Sequence, residues 1–386
     1  MALVAPVGAN AQTASAKYRS IHSFDRVHGE HPMGGSLVEG EDGYLYGTAS
    51  QGRRDDCGVI FKISPRGQYQ VLHTFAQKKG QGCQPSGGLV RASDGNFYGT
   101  TESSRDGNGA IYSMTPAGLV TTLHVLSPDR HEGAQPRSTL VEADDGRLYG
   151  VAEYGGDEKD LGTIYSVSKT GEFRLEYTFT IESDNAGYPI GPLVKGPGGM
   201  LYGVTEGGGQ HAVGTLFRMD QTGVVTHLHS FAPNEGAYPW SGVIFASDGR
   251  FYGTTAYGGA FGAGTVYSSS PEGEVQVVAH FEPAVTGSQS AAALTEGPDK
   301  SLLGTTSNGG SSDTGVVFRV GMLGHPEVPL AELHSCGDAA PGQSNCSVPM
   351  SSLVRATDGR YYGLSMLGGG SGPDGNSGNV FSLQLK

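Results

Sequence analysis

The chain has 386 residues, of which 64 are glycine, more than twice the roughly 7 % share of glycine in average proteins. These glycines follow no three-residue period, which excludes collagen, and 37 % hydrophobic residues argue against disorder. No apolar run approaches the roughly 20 residues that span a membrane, and a net charge of −13 argues against nucleic acid as a partner. The composition predicts a soluble all-β protein with many turns.

The first residues have features of a secretory signal. Residues 1–12 are largely apolar and end in the small-residue pattern Ala9-Asn10-Ala11, although no basic residue precedes them. We therefore expect residues 1–16 to be the remnant of a signal peptide or a disordered N-terminal tail. Residues 17–386 are expected to form a single domain that is secreted or periplasmic.

The four cysteines support export. They lack the C-x-x-C spacing of zinc and redox sites, and they form two local pairs along the chain. We expect one disulfide between Cys57 and Cys83 and a second between Cys336 and Cys346. Two disulfides imply an oxidising compartment.

The pattern Asp-Gly-x-x-Tyr-Gly recurs along the whole chain, with some degenerate copies. The seven copies end at Gly47, Gly99, Gly150, Gly203, Gly253, Gly304 and Gly363. An interval of about 50 residues indicates a repeat architecture such as a propeller.

Each repeat divides into four short strands. The first commonly follows a proline, and an Asp-Gly hairpin turn leads from it to the second strand, which carries the Tyr-Gly pair. A glycine-rich loop leads to a third strand, such as residues 264–267, and the fourth is exemplified by residues 72–75. This pattern predicts a seven-bladed β-propeller with four antiparallel strands per blade.

The two ends of the chain predict how the ring closes. Residues 21–24 match the fourth-strand pattern before any first strand has occurred, and residues 380–383 match the third-strand pattern with no fourth strand after them. We therefore expect the N-terminal strand to join the last blade, which would remove an exposed sheet edge.

The repeat LHSF…P…LV…DG..YGTT..GG…GTVF resembles the GloVer tandem-repeat family of secreted bacterial proteins. The resemblance covers residues from about 18 to 386, and it weakens in the sixth copy, where Leu303 replaces the tyrosine. It implies a propeller fold and export, and it supplies no catalytic residues.

Repetition separates structural residues from functional candidates. The aspartates of the Asp-Gly turns recur at a tight turn, so we assign them a structural role. The same reasoning applies to the histidines that share one position on the fourth strand. These are His22, His73, His124, His229 and His334.

Residues that differ between copies lie at the start of the first strands and in the neighbouring loops, where propellers place ligand sites. We expect no metal site and no cofactor. The catalytic candidates are His31, His211, Tyr188 and Tyr238. The candidates for substrate binding are Arg53, Arg105, Arg137, Tyr154, Trp240, Tyr257, Glu102, Glu153 and Glu206.

Three functions fit these candidates. The most specific is a polysaccharide lyase that cleaves uronic-acid glycans by β-elimination, with arginine neutralising the carboxylate and His or Tyr moving protons. The alternative is a non-catalytic extracellular propeller that binds a glycan or a protein through its rim. The third is a glycoside hydrolase that uses two of Glu102, Glu153 and Glu206. In each case we expect a monomer whose partner is a polysaccharide or other extracellular ligand.

Overall fold

A computed structural model describes residues 16–33, 35–52, 54–181, 186–337, 345–369 and 376–385. Within them, seven antiparallel sheets form the seven blades of a β-propeller, as the repeats predicted. In each blade, the first strand lies beside the central channel and the fourth is outermost. The predicted signal remnant, residues 1–16, lies outside the described residues except for its last residue.

The strands follow one another in the order that the repeats predicted. The first strand of the described residues is β1 (Ala16–Ser23). Blade 1 contains β2 (Val38–Glu39), β3 (Leu45–Ala49), β4 (Val59–Ile63) and β5 (Tyr69–Thr74). A separate pair consists of β6 (Gly82–Cys83) and β9 (Ser103–Ser104). Blade 2 contains β7 (Val90–Arg91), β8 (Phe97–Thr101), β10 (Ala110–Met114) and β11 (Val120–Val125). Blade 3 contains β12 (Val141–Glu142), β13 (Leu148–Ala152), β14 (Thr163–Val167) and β15 (Phe173–Thr178).

The second half of the ring repeats this arrangement. Blade 4 contains β16 (Gly187–Lys195), β17 (Leu201–Gly207), β18 (Thr215–Met219) and β19 (Val225–Ser230). Blade 5 contains β20 (Val243–Phe245), β21 (Phe251–Thr254), β22 (Thr265–Ser269) and β23 (Val275–His280). Blade 6 contains β24 (Thr295–Glu296), β25 (Ser301–Thr306), β26 (Val316–Gly321) and β27 (Ala331–Ser335). Blade 7 contains β28 (Asn345–Pro349), β29 (Val354–Arg355), β30 (Tyr361–Gly369) and β31 (Asn379–Leu385). The short helices are α1 (Pro283–Thr286) and the 3-10 turns Arg54–Asp56 and Pro197–Gly199.

The ring closes as predicted, with the N-terminal strand β1 serving as the fourth strand of blade 7. β1 pairs antiparallel with β31, so that Lys17 lies opposite Gln384. Tyr18 of β1 stacks on His334 of blade 6 with 4.1 Å between ring centroids, and its hydroxyl accepts a hydrogen bond from Asn379 Nδ2 at 3.0 Å. β1 therefore completes one blade and packs against the next.

The hydrophobic core lies between the blades. Each of seven buried clusters joins two neighbouring blades; one combines Phe61 of blade 1 with Tyr362 of blade 7. The two predicted disulfides are present, and the bond between Cys57 and Cys83 links the second-to-third strand loop of blade 1 to the connection that enters blade 2.

The Asp-Gly turns are structural, as expected. In blade 2, Asp94 accepts a hydrogen bond from the Tyr98 hydroxyl at 2.8 Å and another from the Asn96 peptide nitrogen at 3.1 Å. In blade 5, Tyr252 donates to Asp248 at 2.6 Å in the same way. The aspartate therefore ties the turn to the tyrosine of the second strand.

The glycine after that tyrosine makes room for an aromatic ring of the third strand. At Gly363, an added Cβ would lie 2.5 Å from Cζ of Phe381, and at Gly203 it would lie 2.5 Å from Cζ of Phe217. No side chain fits at such distances. The glycine of the Tyr-Gly pair therefore leaves the space that the third-strand ring fills.

Three of the recurring fourth-strand histidines, His22, His124 and His334, stack on an aromatic ring of the next blade. His22 stacks on Tyr69 of blade 1 with 4.0 Å between ring centroids and contacts Phe24 edge-on at 5.3 Å. Burial lowers the pKa of His22 from 6.5 to about 4, because a charged imidazolium would lose its hydration.

The third-strand aromatic residue provides a test of this packing. The Tyr165 hydroxyl is buried, and no described residue forms a hydrogen bond with it. We expect Tyr165→Phe to raise the free energy of unfolding by about 1 kcal/mol, because it removes an unsatisfied polar group. The matched change Tyr98→Phe should lower it by about 1 kcal/mol, since that hydroxyl donates to Asp94. Urea unfolding of both variants measures the difference, and changes of equal sign would contradict this account.

The buried His22 predicts a pH dependence of stability. Its pKa is lower in the folded chain, so the unfolded chain takes up the proton first as the pH falls. Its stabilising contribution is therefore complete above pH 6.5 and is lost as the pH falls toward about 4, by at most about 3 kcal/mol. We expect His22→Phe to flatten the fall in unfolding free energy over this range, whereas His131→Gln, at an exposed site, should leave it unchanged. Parallel curves for wild type and His22→Phe would refute the assignment.

Candidate functional site

A cavity of about 470 Å³ lies at the mouth of the central channel. Because neighbouring strands are antiparallel, the Asp-Gly turns lie at the opposite end of the channel. Every blade contributes to the cavity through residues just before or at the start of its first strand. In blade order these include Met33, Gln84, Gln135, Pro189, Trp240, Ala291 and Met350.

One residue in each blade has a left-handed backbone at this rim, and we call these seven the left-handed rim residues. Each precedes a proline, or Ser290 in blade 6, and has φ between 51° and 62°. In blade 2, the Gln84 peptide nitrogen donates to the Cys57 carbonyl of blade 1 at 2.9 Å, while the Gln84 carbonyl accepts from the Glu102 nitrogen at 2.9 Å. The peptide group of this residue thus links adjacent blades. The left-handed rim residues are His31, Gln84, Gln135, Tyr188, Tyr238, Gln289 and Val348.

One side of the cavity holds an arginine between two carboxylates. Arg137 contacts Glu153 at 3.0 Å through Nη1 and Glu102 at 2.5 Å through Nη2, and Ser86 donates to the other oxygen of Glu102 at 2.9 Å. Desolvation alone would lower the pKa of Arg137, but the hydrogen bond to Glu102 and the charges of both carboxylates outweigh it and raise that pKa. A hydrogen bond to Glu153 raises the pKa of Tyr154 to about 12.

The charge of the cavity follows from these groups. Among the described lining residues there are two carboxylates and one guanidinium, which gives a formal charge of −1. The wall across the channel, in blade 6, is formed by the small residues 291–293. The cavity therefore has a polar, slightly acidic side and an apolar side.

Aromatic side chains form an arc along the rim of blades 3 to 5. Tyr154 and Tyr188 meet edge-to-face with centroids 5.6 Å apart, and Tyr257 does so with Tyr238 at 6.0 Å and Trp240 at 5.5 Å. Tyr238 is 36 % exposed and Tyr257 is 37 % exposed. We call these five residues the aromatic arc; Trp240 also lines the cavity.

The catalytic candidates are not brought together. His31 is in blade 1, where its Nδ1 lies 2.6 Å from Oε1 of the cavity residue Gln51. Tyr188 and Tyr238 begin blades 4 and 5, and each of these blades is three blades away from blade 1 round the ring. His211 is exposed in the loop between β17 and β18, beside Gln210, whose nitrogen donates to the outermost strand of blade 4.

The remaining binding candidates divide similarly. The cavity is lined by four of them, Glu102, Glu153, Arg137 and Trp240. Arg105 is exposed. Glu206 lies near the end of β17 and is not among the described residues that line the cavity. Arg53 lies outside the described residues. No group of three or more His, Cys, Asp or Glu residues within the described ranges could hold a metal ion.

Two features were missed by reasoning from the sequence. One is the pairing of Arg137 with both glutamates, which depends on two blades meeting. The other is the contribution of Gln51, which occupies the same repeat position as Tyr154 and Tyr257, four residues after the Tyr-Gly glycine. That shared position was the available signal.

The comparisons with known proteins agree with this architecture. The family model described as the Gloeobacter/Verrucomicrobia repeat matches residues 10–198 and 189–386, which confirms the resemblance seen in the sequence. Comparison with curated proteins gives no match.

Similar solved structures include virginiamycin B lyase from Staphylococcus aureus, at 13 % identity and a TM-score of 0.63, covering 96 % of this chain and 100 % of that one. Another is the extracellular domain of a putative one-component system from B. thetaiotaomicron, at 12 % identity and a TM-score of 0.58, covering 95 % of this chain and 42 % of that one. At such identities the likeness concerns the fold alone.

The arginine pair predicts a coupled effect on stability. Arg137→Met leaves the nearly buried Glu153 without its cation, so we expect the free energy of unfolding to fall by about 1–3 kcal/mol, less than for a fully buried pair because Arg137 is partly exposed. Adding Glu153→Gln to Arg137→Met should restore part of this loss. Arg130→Met, which breaks an exposed pair with Asp160, should cost no more than about 0.5 kcal/mol. Urea unfolding of the four proteins tests this, and a double variant no more stable than Arg137→Met would contradict it.

Proposed function

The chain belongs to the Gloeobacter/Verrucomicrobia repeat family, and we propose that it is an extracellular propeller that binds neutral glycans at the mouth of its channel. The observation that carries this proposal is the continuity between the aromatic arc and the polar cavity. Trp240 belongs to both.

The two parts suit the two chemical faces of a sugar. Aromatic rings offer a flat apolar surface for the C–H face of a pyranose, with little conformational entropy to lose. The cavity beside them offers amides and hydroxyls, including Gln51, Gln84 and Gln135, that donate and accept hydrogen bonds from sugar hydroxyls. A concave site with an apolar body and a few polar groups is typical of small-ligand binding.

The charge of the cavity favours a neutral ligand over a uronate. Arg137 is the one cation in the described lining, and both of its terminal nitrogens contact carboxylates of the protein. A uronate carboxylate would meet a cavity of formal charge −1, and like charges brought together in a site disfavour binding.

The same contacts bear on the two enzymatic hypotheses. A uronate lyase needs a cation that is free to neutralise the substrate carboxylate, with acid and base groups beside it. Here Arg137 is held by Glu102 and Glu153, and His31, Tyr188 and Tyr238 begin different blades. A glycoside hydrolase needs one carboxyl group as a proton donor, whereas both of these carboxylates accept from Arg137. Binding without chemistry therefore agrees best with these contacts.

An extracellular site of action agrees with the two disulfides, which are typical of proteins in oxidising compartments. None of the helices within the described residues is long and apolar enough to cross a membrane.

We expect a panel of immobilised polysaccharides to separate neutral from anionic ligands. The protein should bind at least one neutral glucan, mannan, xylan or galactan and should not bind polygalacturonate or alginate. Trp240→Ala should weaken the binding at least about tenfold, because it removes the stacking surface shared by the arc and the cavity. Phe245→Ala is the matched control, since Phe245 is an exposed aromatic residue at the opposite end of the channel.

Absorbance at the wavelength of unsaturated uronate products is followed in the same assays. Preferential binding of polygalacturonate or alginate would refute a neutral ligand, and accumulation of unsaturated products would replace this proposal with the lyase. Equal losses in Trp240→Ala and Phe245→Ala would place the site elsewhere.

A further inference from the structure

Two sets of equivalent positions in the blades have a left-handed backbone, and they differ in their side chains. The first set opens the third strand of each blade, with φ between 83° and 122°, and every member is glycine. A Cβ there would collide with the backbone; at Gly264 it would lie 2.0 Å from the Thr255 carbonyl oxygen. The set comprises Gly58, Gly109, Gly162, Gly214, Gly264, Gly315 and Gly378.

The second set is the seven left-handed rim residues, and none of them is glycine. They account for seven of the fourteen described non-glycine residues with positive φ. A left-handed conformation brings the Cβ of an L-residue close to the next carbonyl oxygen and costs free energy. Six of the seven also precede a proline, which narrows the allowed backbone further. Glycine would relieve that cost at each position.

The hydrogen bonds of this backbone do not need the side chains. They are made by peptide groups, as when the Tyr238 nitrogen donates to the Val213 carbonyl of blade 4 at 2.8 Å and the Tyr238 carbonyl accepts from the Ala256 nitrogen of its own blade at 3.0 Å. Glycine would supply the same peptide groups. Seven side chains are therefore kept at positions where the backbone alone would favour glycine.

These side chains lie at the rim and contact other variable residues there. Gln84 accepts from Ser103 Oγ at 3.1 Å, Gln289 donates to the Tyr257 hydroxyl at 3.0 Å, and Tyr188 meets Tyr154 edge-to-face. Gln84 and Gln135 line the cavity directly. Strained residues of this kind cluster at ligand sites, where the surrounding structure holds them in place.

We propose that the seven left-handed rim residues form a recognition ring that selects the glycan bound at the channel mouth. The glutamines of blades 2, 3 and 6 bind sugar hydroxyls, and the tyrosines of blades 4 and 5 stack on sugar rings. The repeated left-handed backbone is a fixed position at which only the side chain varies from blade to blade. This inference rests on the proposed glycan binding and adds which residues contact the glycan and determine its specificity.

Gln135→Gly and Gln135→Ala test the ring, with binding measured on the neutral polysaccharide that the wild type binds best and stability measured by urea unfolding. We expect both variants to weaken binding at least about tenfold, because both remove the amide. The glycine variant should unfold at a higher urea concentration than the alanine variant, because glycine adopts the left-handed backbone without strain. The control Ala212→Gly, at an exposed left-handed residue outside the ring, should leave binding unchanged.

The outcomes separate this inference from the proposed function. If the wild type binds a neutral glycan and both Gln135 variants bind it equally well, the recognition ring is refuted while glycan binding stands. If the glycine variant unfolds at a lower urea concentration than the alanine variant and both bind the glycan as the wild type does, the Gln135 side chain has a structural role. That result also refutes the recognition ring. A wild type that binds none of the glycans overturns the proposed function and the ring together.

Discussion

Each blade of this propeller can bury its sheet faces only against its two neighbours, so the structure depends on a closed ring. The seven hydrophobic clusters all lie between blades, including the one that joins the last blade to the first. β1 is therefore central to stability: it supplies the outer strand of blade 7, and its Tyr18 packs on His334 of blade 6. Without that strand, β31 would be an exposed edge.

The same constraint explains the glycine content. The glycine of each Tyr-Gly pair admits an aromatic ring of the third strand, and the glycine that opens the third strand leaves no room for a Cβ. Gly109, Gly162 and Gly214 also contact the proline that begins the next blade, since an added Cβ would lie 2.5 or 2.6 Å from the proline Cδ. The repeat thus specifies close contacts both within and between blades.

Once the ring is closed, chemical variety is confined to the channel mouth. The backbone there repeats from blade to blade, whereas the side chains change from a polar group at blades 1 to 3 to an aromatic group at blades 3 to 5. The pairing of Arg137 with Glu102 and Glu153 gives the polar part a fixed charge. A rigid scaffold whose rim changes from polar to aromatic side chains is suited to recognising an extended ligand by its shape and by its pattern of hydroxyl groups.

The sequence by itself determined the number of blades, the strands of each blade, the way the ring closes and both disulfides, because each of these repeats locally or depends on spacing along the chain. It also placed Glu102, Arg137, Glu153 and Trp240 at the channel mouth, since equivalent positions in a repeat occupy equivalent places. Only the tertiary structure decided that Arg137 is held by carboxylates of two blades, Glu102 and Glu153. That pairing depends on distances between the side chains of neighbouring blades, and a repeat pattern fixes the position of a residue within its blade but not which side chains meet between blades.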